Sequence, residues 1–96
     1  MQKVGVIGLG RFGMALAENL AKEGIEVIAI DARPEVINQI KDKVALAVSA
    51  DATDLETLRS LGLGRVDTVI VAIGDDFEAC QLAMLAARDL EYPKVI

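Results

Sequence analysis

Three glycines, Gly8, Gly10 and Gly13, stand between an apolar run of strand length, Val4 to Ile7, and a stretch of helical periodicity, Phe12 to Glu23. No other feature narrows the possible folds as far. A G-x-G-x-x-G loop that leaves a strand and opens a helix, with an acid about 20 residues on at the end of the next strand, is a dinucleotide-binding fingerprint. Asp31 is that acid. Gly8 permits the tight turn, Gly10 lets backbone approach a pyrophosphate with no Cβ in the way, and Gly13 lets the helix pack closely on the sheet. The helix N-terminus adds unpaired N–H groups and the positive end of a dipole.

The remainder of the chain repeats the same alternation. Val27 to Ile30 is a second strand, whose continuous apolar character suits burial on both faces. Gly24 stops the helix before it, and Pro34 suits the first turn of the helix after it. Ala45 to Val48 is a weaker third strand, followed by a short helix with capping-box spacing at Thr53-Asp54-Leu55-Glu56 that ends at Gly62 and Gly64. Thr68 to Ile73 is a fourth strand, Asp75 to Leu90 the longest helix, and Lys94-Val95-Ile96 the start of a fifth strand. Right-handed crossovers lay such strands out as a Rossmann-like, doubly wound parallel α/β sheet of order 3-2-1-4-5, in one domain over residues 1–96. The fold is expected to be cut off after the start of strand five. Its ligand crevice should open at the carboxyl ends of strands one and four, where the winding reverses.

Composition excludes several classes of function. A formal charge of −5 argues against a nucleic-acid surface, which needs clustered Lys and Arg. One cysteine, Cys80, allows neither an intrachain disulfide nor a cysteine-built zinc site, and fits a reducing cytoplasm. Histidine is absent, which removes the commonest general base and metal ligand. No apolar run reaches the roughly 20 residues of a membrane helix.

The loops after the strands carry the candidate site. Asp31 would accept hydrogen bonds from a ribose diol and repel a 2′-phosphate, favouring NAD over NADP, an inference that Arg33 beside it weakens. Arg11, inside the glycine loop with Phe12, offers a movable cation to a phosphate of its own site or of a neighbouring subunit; it is otherwise a solvated surface arginine. Ala50-Asp51-Ala52-Thr53 follows strand three, where small residues leave room for adenine and Asp51 could accept from its amino group, unless Asp51 and Thr53 only start the next helix. Ile73-Gly74-Asp75-Asp76 lies across the crevice, its two acids read as helix-dipole partners rather than metal ligands. From Ala79 to Ala87 the last helix has almost no polar face, which implies a covering surface from another subunit or further chain.

Gly8-Leu9-Gly10-Arg11-Phe12-Gly13, then Asp31, then Ala50-Asp51-Ala52-Thr53, then Val69 to Asp75 with Ala86-Ala87-Arg88 downstream, closely resemble the N-terminal half of RCK domains, also called KTN or TrkA-N domains. These are regulatory domains of Trk and Ktr potassium uptake systems and of some potassium channels. The resemblance implies binding of NAD(H) or of ATP/ADP, dimers built into rings, and ring movements passed to a membrane pore by a cytoplasmic, non-enzymatic subunit peripheral to the membrane. By position it assigns phosphates to Gly8, Gly10, Arg11 and Gly13, ribose to Asp31, and the adenine side to Asp51 and Ala52; Phe12, Arg33, Thr53, Ile73 and Gly74 are further candidate cofactor-binding residues in the same loops. The family's sixth strand, dimer-forming crossover helix and C-terminal lobe are not in this sequence, which puts ring formation by this length of chain in doubt. The alternative reading is the cofactor half of an NAD-dependent dehydrogenase.

Overall fold

The structure, a computed structural model, describes residues 2–74 and 76–96. Five parallel strands, β1 (Lys3–Ile7), β2 (Glu26–Asp31), β3 (Leu46–Ser49), β4 (Thr68–Val71) and β5 (Lys94–Val95), form one sheet of order β3-β2-β1-β4-β5. Helices α1 (Arg11–Lys22), α2 (Pro34–Ile40), α3 (Leu55–Ser60) and α4 (Phe77–Arg88) make the crossovers, with a 3-10 turn at Leu63–Arg65 before β4. β1 is central and pairs with β2 and β4, so the winding reverses at its carboxyl end, as the strand order read from the sequence requires.

Side-chain alternation along the strands splits the core into two layers. Val4, Val6, Val27 and Ala29 meet Ala17, Ile37 and Ile40 of α1 and α2 on one face. Ile7, Ile28, Ile30 and Val69 meet Leu58, Leu63, Ala83, Ala87 and Leu90 on the other, under α3, the 3-10 turn and α4. A sheet covered on both faces needs strands apolar at successive positions, which explains the continuous run in β2. Gly5 is small for a reason of packing, since a β-carbon there would come within 2.5 Å of Leu63 Cδ2.

Several boundaries differ from the sequence reading. β4 stops at Val71, because the Ala72 amide makes the last bond to β1, to the Ile7 carbonyl at 2.7 Å, and Gly8 then turns away. Thr53 is not the cap of α3: its amide and hydroxyl both turn back to Asp51, and Asp54 occupies the N-cap position. Only Gly62 takes the helix-ending conformation, at φ +86°, while Gly64 lies inside the 3-10 turn. The start of the last helix was read at Asp75, which lies outside the described residues; Asp76 is the N-cap of α4 and accepts from the Ala79 amide at 3.0 Å. Asp76 thus puts a carboxylate at the N-terminus of α4, where it complements the helix dipole. Along α4, Ala83, Ala86 and Ala87 are buried against the sheet, and Leu82 and Leu85 face outward, 45% and 58% exposed.

Candidate nucleotide-binding cleft

At the carboxyl ends of the central strands a cleft of about 1020 Å³ opens between the glycine loop, the end of β2, the loop after β3 and the loop after β4. Gly8, Gly10, Arg11, Phe12, Asp31, Arg33, Asp51, Ala52, Thr53, Ile73 and Gly74 all line it. Gly13 does not: it is buried in the first turn of α1.

The three glycines of the loop are glycines for three different reasons. Gly8 has φ +95°, and a β-carbon there would press on the Ala72 carbonyl group and Ile73 at 2.9 Å. A β-carbon on Gly13 would land on the Gly8 carbonyl oxygen, so this glycine lets α1 close on the loop itself, more directly than on the sheet. Gly10 has an ordinary φ of −70°, and a β-carbon there meets no protein atom within 4 Å. Neither backbone geometry nor protein packing calls for glycine at that position. What the missing side chain leaves bare is backbone at the mouth of α1.

Gly10 is also the N-cap of α1 and supplies no side-chain acceptor, and the first turn has no acidic residue. Among the described residues, the Arg11, Phe12 and Gly13 amides meet no acceptor; the first helical bond is Met14 N–H to the Gly10 carbonyl at 2.9 Å. An uncapped helix start with its dipole aimed into a cleft attracts anions. α2 and α3 also start without a side-chain cap, but they carry Glu35 and Glu56 in their first turns and α4 carries Glu78, so among these helices α1 alone offers no carboxylate to its own N-terminus. Arg11 and Phe12 are exposed at the same rim, Phe12 at 69%. The bare approach at Gly10, the unbonded amides and the flanking arginine fit a nucleotide's phosphates.

On the β2 side, Asp31 is buried, with its side chain only 7% exposed. Oδ2 accepts from the Leu9 amide at 2.8 Å and from Arg33 Nη2 at 3.1 Å, and Oδ1 accepts from the Arg33 amide at 2.9 Å and Arg33 Nε at 3.0 Å. Burial pushes this carboxyl up, but the Arg33 guanidinium, the Arg33 amide and the Leu9 amide together outweigh it and hold it below the ordinary range. At the far wall, Asp51 Oδ1 accepts from the Thr53 hydroxyl at 2.6 Å and the Thr53 amide at 2.9 Å, bonds that lower its pKa against a small opposing effect of burial. Oδ2 carries no bond among the described residues, so Asp51 can both shape its own loop and accept from a ligand. Ser49 and Ala72 line the cleft too, and the sequence reading missed them. Their signal was position, since each sits at or just past the carboxyl end of a strand.

Comparison with known proteins gives the family and supports the fold. The TrkA-N domain family matches residues 4–96. The chain is 42% identical over 85 residues to the Ktr system potassium uptake protein C of Bacillus subtilis, covering 88% of this chain and 38% of the relative's length. It therefore spans well under half of that relative. Among solved structures, the NAD(P)-binding domain of an exopolyphosphatase-related protein from Archaeoglobus fulgidus superimposes with a TM-score of 0.85 at 32% identity, over 99% of this chain and 71% of that one. The Kef C-terminal domain of Shewanella denitrificans, solved with AMP bound, shares the fold with a TM-score of 0.79 at 22% identity, over 98% of this chain and 57% of that one. By sequence over nearly its whole length, and by fold, the chain belongs to the TrkA-N domain family.

Proposed function

We propose that this domain is a cytosolic nucleotide sensor that regulates a potassium transporter or channel. The observation that carries the proposal is Gly10: a residue with no protein-based need to be glycine, at the uncapped start of α1, on the wall of a cleft. The amides of the loop and of the first turn of α1 would hold the phosphates, with Arg11 beside them, and the Asp31 corner would hold the ribose. Asp51, Ala52 and Thr53 would border adenine, and Phe12, Ile73 and Gly74 would close the remaining walls. The ligand is an adenine nucleotide, NAD(H) or ATP/ADP. The potassium-uptake role of the Bacillus relative and the NAD(P)-binding role of the Archaeoglobus domain support this reading.

A sensor needs no catalytic group. It needs different affinity for a ligand in two conformations. The dehydrogenase alternative would use the same cleft for its cofactor, while the described carboxylate across from the glycine loop, Asp76, is engaged as the N-cap of α4. In the sensor, occupancy reaches a neighbouring subunit through Arg11 at the cleft rim, and the outward Leu82 and Leu85 of α4 supply an apolar face for self-association. The assembly then acts on a membrane partner, and no helix among the described residues is itself long and apolar enough to cross a membrane.

Sedimentation velocity of the wild type and Arg11→Ala, each with and without ADP, ATP and NADH, tests the coupling. The proposal expects association that changes with nucleotide and a smaller change in Arg11→Ala. A monomer under all conditions, or an oligomer indifferent to nucleotide, contradicts it.

A further inference from the structure

A carboxylate offers about four acceptor positions on its two oxygens, and all four on Asp31 are filled by this chain's own donors. Two of those donors, the Leu9 and Arg33 amides, are backbone and stay where the fold puts them. The other two, Nε and Nη2, come from one Arg33 side chain that is 53% exposed on a flexible stem. A ribose with a free 2′,3′-diol also brings two neighbouring donors, its two hydroxyls. The carboxylate cannot accept from both sets at once.

We propose that the Arg33 side chain is a built-in stand-in for the ribose diol, filling the ribose corner of the cleft until a nucleotide with a free diol displaces it. This rests on the reading of the cleft as a nucleotide site and adds how that site selects. The exchange is two donors for two when both hydroxyls are present. A ligand lacking the hydroxyls supplies no donors and leaves Arg33 on Asp31. The buried carboxylate is satisfied in both states, by guanidinium in one and by diol in the other. Arg33 is also the N-cap residue of α2, so the displacement occurs at a helix start and turns a positive charge outward when ligand enters.

The test compares ADP with 2′,3′-dideoxy-ADP on the wild type and on Arg33→Met, which keeps the stem and removes the donors. Calorimetry should show ADP binding about fivefold tighter to Arg33→Met, since roughly one net hydrogen bond's worth of competition is gone, with the dideoxy ligand unchanged within about twofold. On the wild type, the Arg33 Nε resonance should shift on saturation with ADP and stay in place with the dideoxy ligand. Equal weakening of both ligands in Arg33→Met would mean that Arg33 grips the nucleotide elsewhere and would overturn the proposal. So would an equal gain for both, no change for either, or an Nε resonance unmoved by saturating ADP. Should neither protein bind ADP, the nucleotide reading falls along with it, whereas binding without the diol-dependent pattern removes the stand-in alone.

Discussion

The Leu9 amide donates to Asp31 Oδ2 across 2.8 Å, which joins the glycine loop to the end of β2. The Gly8 amide makes a parallel tie to the Ile30 carbonyl, also at 2.8 Å. The loop proposed for phosphates and the carboxylate proposed for ribose are therefore one hydrogen-bonded unit, and a change at one should be felt at the other. Asp31→Ala leaves the Leu9 amide without its acceptor and removes the ion pair that Arg33 makes with Asp31. It should lose about 1 to 3 kcal/mol of stability with no nucleotide present, the range for leaving a buried hydrogen-bonding group without its partner. Urea unfolding measures this, and a midpoint equal to the wild type's would mean the loop does not depend on Asp31.

Gly10 and Gly13 should respond in opposite ways to the same substitution. Gly13→Ala puts a methyl group on the Gly8 carbonyl, where backbone has little room to give, and should destabilise by about 1 to 3 kcal/mol or more, as overpacking does. Gly10→Ala, in open space at an ordinary φ, should change stability by less than about 1 kcal/mol, the gain from a stiffer unfolded chain being offset by alanine's poorer N-capping, yet abolish nucleotide binding. A loss as large as that of Gly13→Ala would show that this glycine serves the fold.

Stability in acid should carry the signature of Asp31. Its folded pKa is depressed, so its contribution is fully present above the unfolded value of about 3.9 and is lost as pH falls through the folded value below that. Denaturation midpoints should hold above about pH 5 and fall toward pH 2, more steeply in the wild type than in Asp31→Asn. Identical acid slopes in the two proteins would mean Asp31 titrates as it does in the unfolded chain.

The outward face of α4 separates fold from assembly. Leu85 is 58% exposed, so Leu85→Lys should change stability by less than about 0.5 kcal/mol while weakening self-association in sedimentation. Unchanged association would place the interface elsewhere.

The framework was legible because it rests on periodicity and on residues with one meaning. The apolar run from Val27 to Ile30 has few uses besides a strand buried on both faces, and Pro34 takes the first position of α2 as its missing N–H predicts. Ambiguity began where one residue type serves two geometries. Gly62 and Gly64 look alike in a sequence, and only the first adopts positive φ. Thr53 and Asp54 are both good caps, and the choice fell to a third residue, Asp51, which engages Thr53. Asp31 and Arg33 were each legible as candidate residues, and both line the cleft. Their four-bond closure was not, because it depends on Leu9 arriving from another loop.

The central claim is that the cleft beside Gly10 binds an adenine nucleotide. Parallel calorimetric titrations of the wild type and Gly10→Ala with NADH, NAD, ATP, ADP and NADPH test it most directly, with circular dichroism to show that both proteins are folded. The account predicts saturable one-site binding of at least one nucleotide carrying a free adenosine diol, weaker binding of NADPH than of NADH, and loss of binding in a folded Gly10→Ala. A wild type that no nucleotide saturates, or a folded Gly10→Ala that binds as tightly as the wild type, would contradict it.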